Sequence, residues 1–239
     1  NRKVARGFKK YTAGSPKPME RVETPGVKTM EELAEFFDLP KDRLSKTMVF
    51  KTLGGIVMAV VRGDYEVSSE KLSRYLGEPV LKMADEDELE ALGFIPGSLS
   101  PVNMREDIRI IVDGTVAKST NLVIGANEED YHYKNANFGR DFESEHVADI
   151  SMIKEENTCL QCGSRLEQVR SLELGNIFKL GNFYTRSMGL IFQEESGRQV
   201  YPHMGSYGIG IGRLIGAMAE QLRDRRGLLW PPEISPFLF

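Results

Sequence analysis

The run Met204-Gly-Ser-Tyr-Gly-Ile-Gly-Ile-Gly-Arg213 has the residue types of a phosphate-binding segment that leads from a strand into a helix. Glycine has no side chain, so a ligand can approach the backbone closely. The N–H groups that begin a helix attract anions, and Arg213 at this junction offers a planar fork of donors to a phosphate. The alternative is a Gly-rich strand packed under a helix, with Arg213 in a surface ion pair. Gly208 and Gly210 begin a dinucleotide-like pattern, but its third glycine is absent.

Cys159 and Cys162 form the only C-x-x-C of the chain and resemble half of a zinc knuckle. A closed zinc site needs four ligands, and the three histidines of the chain are His132, His146 and His203. A metal-free turn is therefore favoured, and two chains that share one metal remain an alternative. Two cysteines cannot form a disulfide framework and fit a reduced, cytoplasmic compartment.

Four residues in the middle of the chain have side chains suited to catalysis, namely Lys46, Ser98, Asp113 and His132. Taken singly, each also has an ordinary structural role. A strand lysine is commonly a solvated face residue, an aspartate before glycine favours a turn, and a histidine between two tyrosines is commonly a hydrogen-bonded core residue. Ser98 stands in a Pro-Gly-Ser turn, and no Ser/His/Asp order marks it as a nucleophile. Residue type alone therefore does not identify a site here.

The net charge of −4 is distributed unevenly along the chain. Residues 1–21 hold seven basic side chains and one acidic one, whereas residues 22–157 hold 15 basic and 27 acidic ones. Residues 158–239 hold nine basic and seven acidic side chains. An acidic middle region is a poor general surface for phosphate, so any contact with RNA there is expected in a local pocket. Other parts of the molecule would then supply most of the affinity.

Length and composition indicate a globular chain with one large domain or two small ones. Apolar residues make up 41 % of the 239 residues, which is enough for a packed core. No apolar run approaches the roughly 18–20 residues that a membrane helix needs, so no membrane contact is expected. Residues 1–17 carry six basic side chains and no acidic one. A solvated linker is the favoured interpretation of this head, and a transit peptide is the alternative.

Hydrophobic periodicity predicts an α+β domain over residues 24–150, preceded by a linker over 1–23. The predicted elements are a helix that begins at the capping box Thr29–Glu32 and ends before Pro40, strands at 45–53, 56–61, 108–113 and from 122, and short helices at 68–76 and 85–92. Gly54-Gly55 predicts a hairpin between the first two strands. The segment 96–101 is bounded by two prolines and is predicted to be a rigid loop.

A second region is predicted over residues 151–239. Strands are expected at 171–180, 190–193 and 207–211, followed by a helix over 214–223. Gly227 is predicted to stop that helix.

The segment 171–239 closely resembles the C-terminal part of the catalytic core of bacterial-type prolyl-tRNA synthetases. Its run 204–213 is similar to class II motif 3, whose arginine contacts the phosphates of ATP. The matching sequence comprises Leu172-Glu-Leu-Gly-Asn-Ile-Phe-Lys-Leu-Gly181, Met204-Gly-Ser-Tyr-Gly-Ile-Gly-Ile-Gly-Arg213 and Gly227-Leu-Leu-Trp-Pro-Pro-Glu-Ile-Ser-Pro236. The resemblance implies that part of an antiparallel class II core follows the first domain.

The first domain resembles the editing insertion of the same family, which free-standing aminoacyl-tRNA deacylases share. The matching residues are Thr24-Pro-Gly-Val-Lys-Thr29, Ser45-Lys-Thr47, Val61-Arg-Gly-Asp64, Pro96-Gly-Ser-Leu99, Pro101-Val-Asn103, Gly125-Ala-Asn127, Tyr131-His-Tyr133 and Arg140-Asp141. Residues 1–23 resemble the stretch that follows motif 2 in these enzymes. The two resemblances together cover nearly the whole chain after the head.

The resemblance implies hydrolysis of the ester that joins alanine to tRNA(Pro). Lys46 would then hold a phosphate or the ester end of the tRNA, and backbone N–H groups around Gly97 and Ser98 would stabilise the oxyanion. Asp113 and His132 would bound the alanine pocket or orient the substrate. No protein general base is assigned, because the family suggests that hydroxyl groups of the tRNA assist.

The same resemblance implies a site for ATP and the aminoacyl-adenylate in the second region. The implied residues are Arg213, Gly208, Gly210, Glu173, Phe178 and Ser206. Asn176 stands where many relatives have histidine, and Ser206 where many have cysteine, so these two positions depart from the side-chain contacts to proline that the family implies. The expected substrates and partners are tRNA(Pro), proline, alanine as the mischarged group and ATP with Mg²⁺, in a homodimer of the full-length enzyme, and no metal is expected in the editing domain.

Three functions are compatible with these patterns. The first is a piece of a proline ligase that edits its own product, because motifs 1 and 2 and the anticodon-binding domain are not in this sequence. The second is a free-standing deacylase with a vestigial tail. The third is a non-catalytic relic that binds tRNA or a partner without turnover, against which the combination of Lys46, Pro96-Gly-Ser-Leu99 and His132 argues.

Overall fold

The computed structural model describes residues 2–105, 107–235 and 237. Five residues lie outside the described ones, namely Asn1, Glu106, Pro236, Leu238 and Phe239. They include the first residue of the predicted linker over 1–23, the last two residues of the predicted region over 151–239, and the last residue of the 227–236 motif. The chain forms two compact units, one that ends at Gln168 and one that begins at Val169. None of the helices in the described part is both long and apolar enough to cross a bilayer.

Among its described residues, the first unit combines eight strands with four α-helices and a short 3-10 helix at Lys41–Arg43. The strands are β1 (Glu20–Glu23), β2 (Ser45–Thr52), β3 (Gly55–Arg62), β4 (Val80–Met83), β5 (Arg109–Asp113), β6 (Leu122–Gly125), β7 (Tyr131–Ala136) and β8 (His146–Ala148). The helices are α1 (Met30–Phe37), α2 (Ser69–Leu76), α3 (Glu86–Ala91) and α4 (Gly114–Lys118). This mixture of helices and mixed sheets confirms the predicted α+β class.

A five-stranded sheet in the order β4-β2-β3-β5-β8 is the centre of the first unit. β2 and β3 form an antiparallel hairpin from Ser45 opposite Arg62 to Thr52 opposite Gly55. Gly55 has a φ of 125°, which explains why glycine occupies this turn. β3 pairs in parallel with β5, and β5 with β8, so the chain crosses over between them.

Apolar side chains cover both faces of this sheet, as the continuous apolar run of β3 predicts. One face packs Val49, Met58, Val60 and Val112 against β6 and the loop before β5. The other face packs Phe50, Ala59, Val61 and Ile111 against Leu72 of α2 and against Ile150.

A three-stranded sheet in the order β1-β7-β6 carries the histidine of the predicted site. β1 places Val22 opposite His132, and β6 places Gly125 opposite the same residue. Because β1 lies within the predicted linker, the structure differs from the sequence prediction at residues 20–23. A strand of only four residues with an exposed, charged pattern gives little periodic signal, and its pairing with β7 is a tertiary contact.

Helix α1 begins at the capping signal that the sequence predicts, whereas α4 was not predicted. Thr29 and Glu32 form the predicted capping box of α1, and Asp85 and Glu88 form another at α3. The α1 helix ends at Phe37, and Asp38 takes a left-handed conformation as its C-cap, before Pro40.

The first unit extends beyond the predicted domain at both ends. Phe8 and Thr158 exchange backbone hydrogen bonds of 2.7 and 3.2 Å, so the head packs with the segment after residue 150. The Lys9 side chain is only 6 % exposed. The head is therefore not a solvated linker, because it contacts residues 149–158. Local sequence patterns do not reveal these contacts, because the two segments lie far apart in sequence.

The second unit contains four strands and two helices. These are β9 (Gly175–Gly181), α5 (Phe183–Ser187), β10 (Phe192–Gln193), β11 (Gln199–Val200), β12 (Met204–Ile209) and α6 (Ile211–Gln221). β9 and β12 form one antiparallel pair, and β10 and β11 form another. The predicted strand over 171–180 begins four residues later than expected, and the predicted helix begins at Ile211 instead of Leu214. β12 starts three residues before the predicted strand, so the Gly-rich run is a strand up to Ile209 and enters α6 at Ile211.

Candidate functional site

The predicted loop spans residues 96–101. Its part from Gly97 onwards, which we call the 97–101 loop, lies directly against the end of β6. A Cβ atom on Gly125 would stand 2.3 Å from the Leu99 carbonyl oxygen and 2.4 Å from that of Ser98. No other residue fits there without moving backbone, because both neighbours are main-chain atoms. The Asn127 N–H donates to the Ser98 carbonyl at 2.8 Å. The end of β6 thus fixes the position of the loop.

Ser98 is a structural residue of this loop. Its hydroxyl donates to the Tyr131 carbonyl at 2.8 Å and accepts from the Ala126 N–H at 3.3 Å. Its own N–H donates to the Ile95 carbonyl at 3.1 Å, which closes a turn. The side chain is almost fully buried, and its hydroxyl already binds on both sides. Ser98 is accordingly suited neither to nucleophilic attack nor to donating its N–H to an oxyanion in this conformation.

Asn127 holds the second half of the loop. Its side-chain carbonyl accepts the Ser100 N–H at 2.7 Å, and its amide donates to the carbonyls of Ser100 and Val102 at 3.0 and 3.1 Å. Asn127 itself has a φ of 54°, a left-handed conformation that asparagine tolerates better than most residues. The Asn127 side chain therefore supplies three hydrogen bonds to main-chain groups that would otherwise need a neighbouring strand.

His132 joins the 97–101 loop to the three-stranded sheet. The ring is 3 % exposed, and its Nδ1 atom lies 2.7 Å from the Thr24 hydroxyl oxygen. Burial lowers the pKa of His132, and a hydrogen bond with the Gly97 backbone opposes part of that effect. The ring is therefore neutral at neutral pH and makes contacts on both Thr24 and Gly97. In this arrangement His132 positions the loop.

Gly97 is the point where the loop meets the start of the domain. Its φ of 85° lies in the left-handed region, and a Cβ there would lie 3.6 Å from the Lys28 side chain. Neither the Gly97 N–H nor the Leu99 N–H makes a hydrogen bond among the described residues, so these two groups of the loop stay available to a ligand. Of the predicted donors at Gly97 and Ser98, the one at Gly97 remains.

Lys46 lies on β2, beside the strand β6 against which the loop packs. Its ammonium nitrogen is 2.5 Å from a Glu66 carboxylate oxygen, and its side chain is 17 % exposed. Lys46 also lies close enough to Glu31 to help lower the pKa of that carboxyl, after the larger effect of a hydrogen bond from Lys41. Because Leu44 bridges Val123 of β6 in parallel, Lys46 lies level with Gly125, the residue opposite His132.

Asp113 occupies a third place, at the end of β5. Its Oδ1 accepts from the N–H and hydroxyl of Thr115 at 2.9 and 2.7 Å. Its Oδ2 accepts from the N–H groups of Ile150 and Ser151 at 3.1 and 3.0 Å and from the Ser151 hydroxyl at 2.8 Å. Lys9 lies 3.8 Å away. Asp113 therefore caps α4 and fastens the chain after β8, and no described contact brings it to His132.

A cavity of about 670 Å³ opens above Asp113, and we call it the Asp113 cavity. Its lining includes residues of the head, of α2 and of α4. Lys46, Gly97, Ser98 and His132 do not line it. The structure thus brings Gly97, Ser98 and His132 together, places Lys46 on β2 beside β6, and leaves Asp113 at the Asp113 cavity.

The Gly-rich run of the second unit lies on β12 and the start of α6. In the antiparallel pair with β9, Ser206 stands opposite Phe178 and Gly208 opposite Asn176. Gly210 is the N-cap of α6 and makes no side-chain cap, so a side-chain acceptor does not occupy the first N–H groups of the helix. This is the geometry expected of an anion site.

Arg213 lies in the first turn of α6. Its guanidinium donates to the Glu173 carbonyl oxygen at 3.0 Å and lies 3.7 Å from the carboxylate of the same residue. The side chain is 57 % exposed. A Cβ on Gly210 would come within 3.1 Å of the Arg213 Nε, so glycine there leaves room for the guanidinium. Arg213 thus makes a surface ion pair and is also accessible to a phosphate.

The C-x-x-C segment forms a turn. The Gly163 N–H donates to the Cys159 carbonyl at 3.0 Å, and the Cys159 N–H donates to the Ser164 carbonyl at 2.8 Å. Hydrogen bonds from Ser164 lower the pKa of the Cys162 thiol. Within residues 2–105, 107–235 and 237, no group of three or more possible metal ligands occurs.

Sequence reasoning missed Thr24, Lys28 and Asn127 as members of the site. Thr24 and Asn127 stand in the segments Thr24–Thr29 and Gly125–Asn127 that carry the family resemblance, which is the signal that could have identified them. Their contacts with His132 and the loop span 108 and 25–27 residues, so the structure was needed to assign them.

Comparisons with known proteins give a consistent result. Residues 24–142 match the family model of the aminoacyl-tRNA editing domain. The proline--tRNA ligase of Thermoanaerobacter sp. (strain X514) is 40 % identical over 223 residues, which cover 92 % of this chain and 39 % of that protein. The proline--tRNA ligase of Lactiplantibacillus plantarum is 41 % identical over 229 residues, which cover 95 % of this chain and 40 % of that protein.

A solved structure described as a candidate trans-editing enzyme for prolyl tRNA synthetase covers 56 % of this chain and 86 % of its own, with 21 % identity and a TM-score of 0.46. The chain spans about 40 % of the length of the curated relatives that it matches.

Proposed function

Because residues 24–142 belong to the aminoacyl-tRNA editing domain family and the chain matches proline--tRNA ligases over nine-tenths of its length, we propose that it hydrolyses mischarged Ala-tRNA(Pro). The observation that carries this proposal is the 97–101 loop, which Gly125, Asn127 and His132 hold rigidly within the matched region. A rigid loop with unpaired N–H groups is the arrangement that a carbonyl undergoing hydrolysis requires.

A separate hydrolytic site has a physical reason in a proline enzyme. Alanine is smaller than proline and therefore enters a proline pocket. Binding alone separates ligands that differ by one methylene by only about 1–3 kcal/mol, so a second site that accepts the smaller group is needed. The reaction is attack of water on the ester carbonyl, which releases alanine and leaves the ribose hydroxyl on tRNA(Pro).

The Gly97 N–H is assigned to the developing oxyanion. It has no acceptor within the described chain, and the left-handed backbone at Gly97 requires glycine. His132 acts as a positioning residue, because its buried ring already contacts Thr24 and Gly97. Hydroxyl groups of the tRNA itself are the proposed proton acceptors, in keeping with the absence of an assigned protein base.

Lys46 is assigned to a phosphate or to the ester end of the tRNA. Its partner Glu66 is 59 % exposed, so the ion pair lies at the surface and a phosphate can compete for the lysine. Binding of tRNA would then exchange one carboxylate partner for a phosphate partner.

For the longer protein we propose ATP-dependent charging of tRNA(Pro) with proline. Arg213 would bind ATP phosphates at the free start of α6, and Glu173 and Ser206 would lie beside the adenylate. Mg²⁺ would arrive with the nucleotide. A homodimer in the cytoplasm belongs to the same proposal.

The test is hydrolysis of purified Ala-tRNA(Pro) and Pro-tRNA(Pro) by the full chain. The alanyl ester is expected to disappear faster, and equal rates would remove the size argument. Lys46→Ala is expected to lower turnover at least tenfold, whereas Lys51→Ala should leave it unchanged. Lys51 is a matched control because it lies on the same strand and pairs with Glu88. Binding of tRNA without any turnover would instead support a non-catalytic relic.

A further inference from the structure

The Asp113 cavity has a floor in which every charge is paired. Asp113 is 1 % exposed and accepts hydrogen bonds from Thr115, Ile150 and Ser151. Lys71 donates to both oxygens of Asp149 at 3.1 and 3.0 Å and to the Ser151 carbonyl at 2.8 Å.

Lys9 completes this floor from the head of the chain. It pairs with Asp149 and donates to the Ser151 hydroxyl at 2.6 Å and to the Ser151 carbonyl at 3.0 Å. Burial and the charge of Lys9 lower the pKa of Lys71, while Asp149 raises it. Two lysines and two aspartates thus neutralise one another, and the floor serves to join the head, α2 and the segment after β8.

The rim of the cavity is different, because its cations have no carboxylate partners. Arg6, Arg74 and Lys118 line the opening and are exposed. Within the described part of the chain, none of these three side chains makes a hydrogen bond or an ion pair. The rim therefore carries three unpaired positive charges, and two of them, Arg74 and Lys118, lie within residues 22–157, which hold 27 acidic and 15 basic side chains. Such a local reversal of sign attracts an anion to this opening.

Aromatic side chains stand between these cations. Tyr11, Tyr75 and Phe8 line the cavity and are 46, 42 and 61 % exposed. The Lys118 ammonium lies 5.9 Å from the centre of the Tyr11 ring. Cations interleaved with exposed aromatic rings are the surface that binds single-stranded nucleic acid, since phosphates pair with the cations and bases stack on the rings.

We propose that the Asp113 cavity binds a phosphate and an adjoining base of a single-stranded RNA segment of the tRNA substrate. The inference rests on the proposed function for the identity of the RNA, and the cavity's chemistry alone carries the claim that its ligand has phosphate groups. The volume lies within the roughly 300–1,000 Å³ of small-ligand sites, so about one nucleotide enters and the strand continues along the rim. Binding there would hold the tRNA on the domain without contact between the RNA and the acidic surface of the domain.

The experiment compares two triple variants of the full chain. One removes the rim charges (Arg6→Ala, Arg74→Ala and Lys118→Ala), and the other removes three basic side chains outside the cavity lining (Lys10→Ala, Lys17→Ala and Arg43→Ala). Binding of uncharged tRNA(Pro) is measured as a function of salt concentration. The rim variant is expected to bind about tenfold more weakly and to lose roughly two units from the slope of log K against log salt, since each single-strand phosphate contact contributes about 0.7. The control variant should change both values by far less.

Adenosine monophosphate serves as the probe for a free nucleotide. We expect it to compete with tRNA(Pro) only at concentrations far above the dissociation constant of the tRNA. Competition at equal concentration would identify a mononucleotide site and overturn the proposal. Equal loss of tRNA binding in both triple variants would also overturn it, because the effect would then be general electrostatics.

Hydrolysis of Ala-tRNA(Pro) separates this inference from the proposed function. The rim variant is expected to raise KM with kcat unchanged, since the rim lies apart from the 97–101 loop. Hydrolysis with the same KM in the rim variant would overturn the cavity assignment and leave the editing function intact. Rim-dependent tRNA binding in a chain without hydrolysis would overturn the editing function and leave the cavity assignment intact.

Discussion

The polar residues of the first unit and those of the second unit are held in opposite ways. His132 and Asp113 are 3 % and 1 % exposed, and each makes contacts with residues far away in sequence. Arg213 is 57 % exposed, and its partner Glu173 is 61 % exposed. The first kind of contact fixes a geometry that a ligand meets already formed. The second kind can be exchanged for a ligand at little cost, because water compensates both charges.

The difference implies that matched substitutions have unequal consequences in the two units. Removing one partner of a buried polar contact leaves the other without a hydrogen bond, whereas an exposed partner turns to water. Stability measurements on the full chain, whose two units can be followed separately by limited proteolysis, are therefore the way to test the comparison.

The largest effect is expected for Asp113→Ala. It removes the acceptor of five hydrogen bonds and leaves Lys9 near an empty place in the buried floor, so the free energy of unfolding of the first unit should fall by about 3–5 kcal/mol. Glu173→Ala in the second unit should stay within about 0.5 kcal/mol. Urea unfolding of both variants measures this, and similar losses would show that the two units are not held differently.

A smaller but still large effect is expected for Gly125→Ala. The added methyl would lie 2.3 Å from a carbonyl oxygen, so the 97–101 loop must move, at a cost of about 1–3 kcal/mol and with loss of Ala-tRNA(Pro) hydrolysis. Gly216→Ala is the control, because a Cβ there meets no atom within 4 Å. Gly216 lies inside α6, so alanine should stabilise that helix by roughly 0.5–1 kcal/mol. Retained hydrolysis in Gly125→Ala would contradict the role of the loop.

The smallest effect is a dependence of stability on pH. Because burial lowers the pKa of His132, the unfolded chain binds a proton at higher pH than the folded chain. The contribution of this group to stability is complete above the unfolded pKa of about 6.5. As pH falls below that value it is lost, at no more than about 1.4 kcal/mol per pH unit, until the folded pKa is reached.

Two histidine variants isolate this effect. His132→Gln should reduce the loss of stability between about pH 7 and pH 5, whereas His203→Gln should leave the loss as it is, since His203 is an exposed residue of the second unit. Thermal melts over that range provide the measurement, and parallel curves for wild type and His132→Gln would refute a buried, neutral His132.

Many elements of this chain are predictable from local sequence. The capping boxes at Thr29 and Asp85, the apolar run of β3 and its Gly54-Gly55 turn give the bounds of α1, α3 and the central hairpin within about one residue. These signals are local, because caps, turns and periodicity depend on residues at most a few positions apart. Strand β1 and the packing of the head were missed for the opposite reason, since their partners lie more than 100 residues away.

The candidate site was predictable as a set of residues, and its geometry was not. The family resemblance selected Gly97, Ser98 and His132, which the structure places together, and Lys46, which lies on the strand beside β6. It also selected Asp113, which lies elsewhere. Residue type did not reveal that the Ser98 hydroxyl and N–H are both engaged. Their availability depends on neighbours that only the folded chain supplies.

The sequence by itself determined the residue types of this protein's chemistry, the local start and end of most helices, and the acidic character of its middle region. Tertiary structure alone decided which polar groups are paired and which stay free, including the Gly97 N–H of the loop and the three cations of the cavity rim. The physical reason is that a hydrogen bond or ion pair reaches only about 3–4 Å, so whether a group is satisfied depends on atoms that the chain brings near from distant positions.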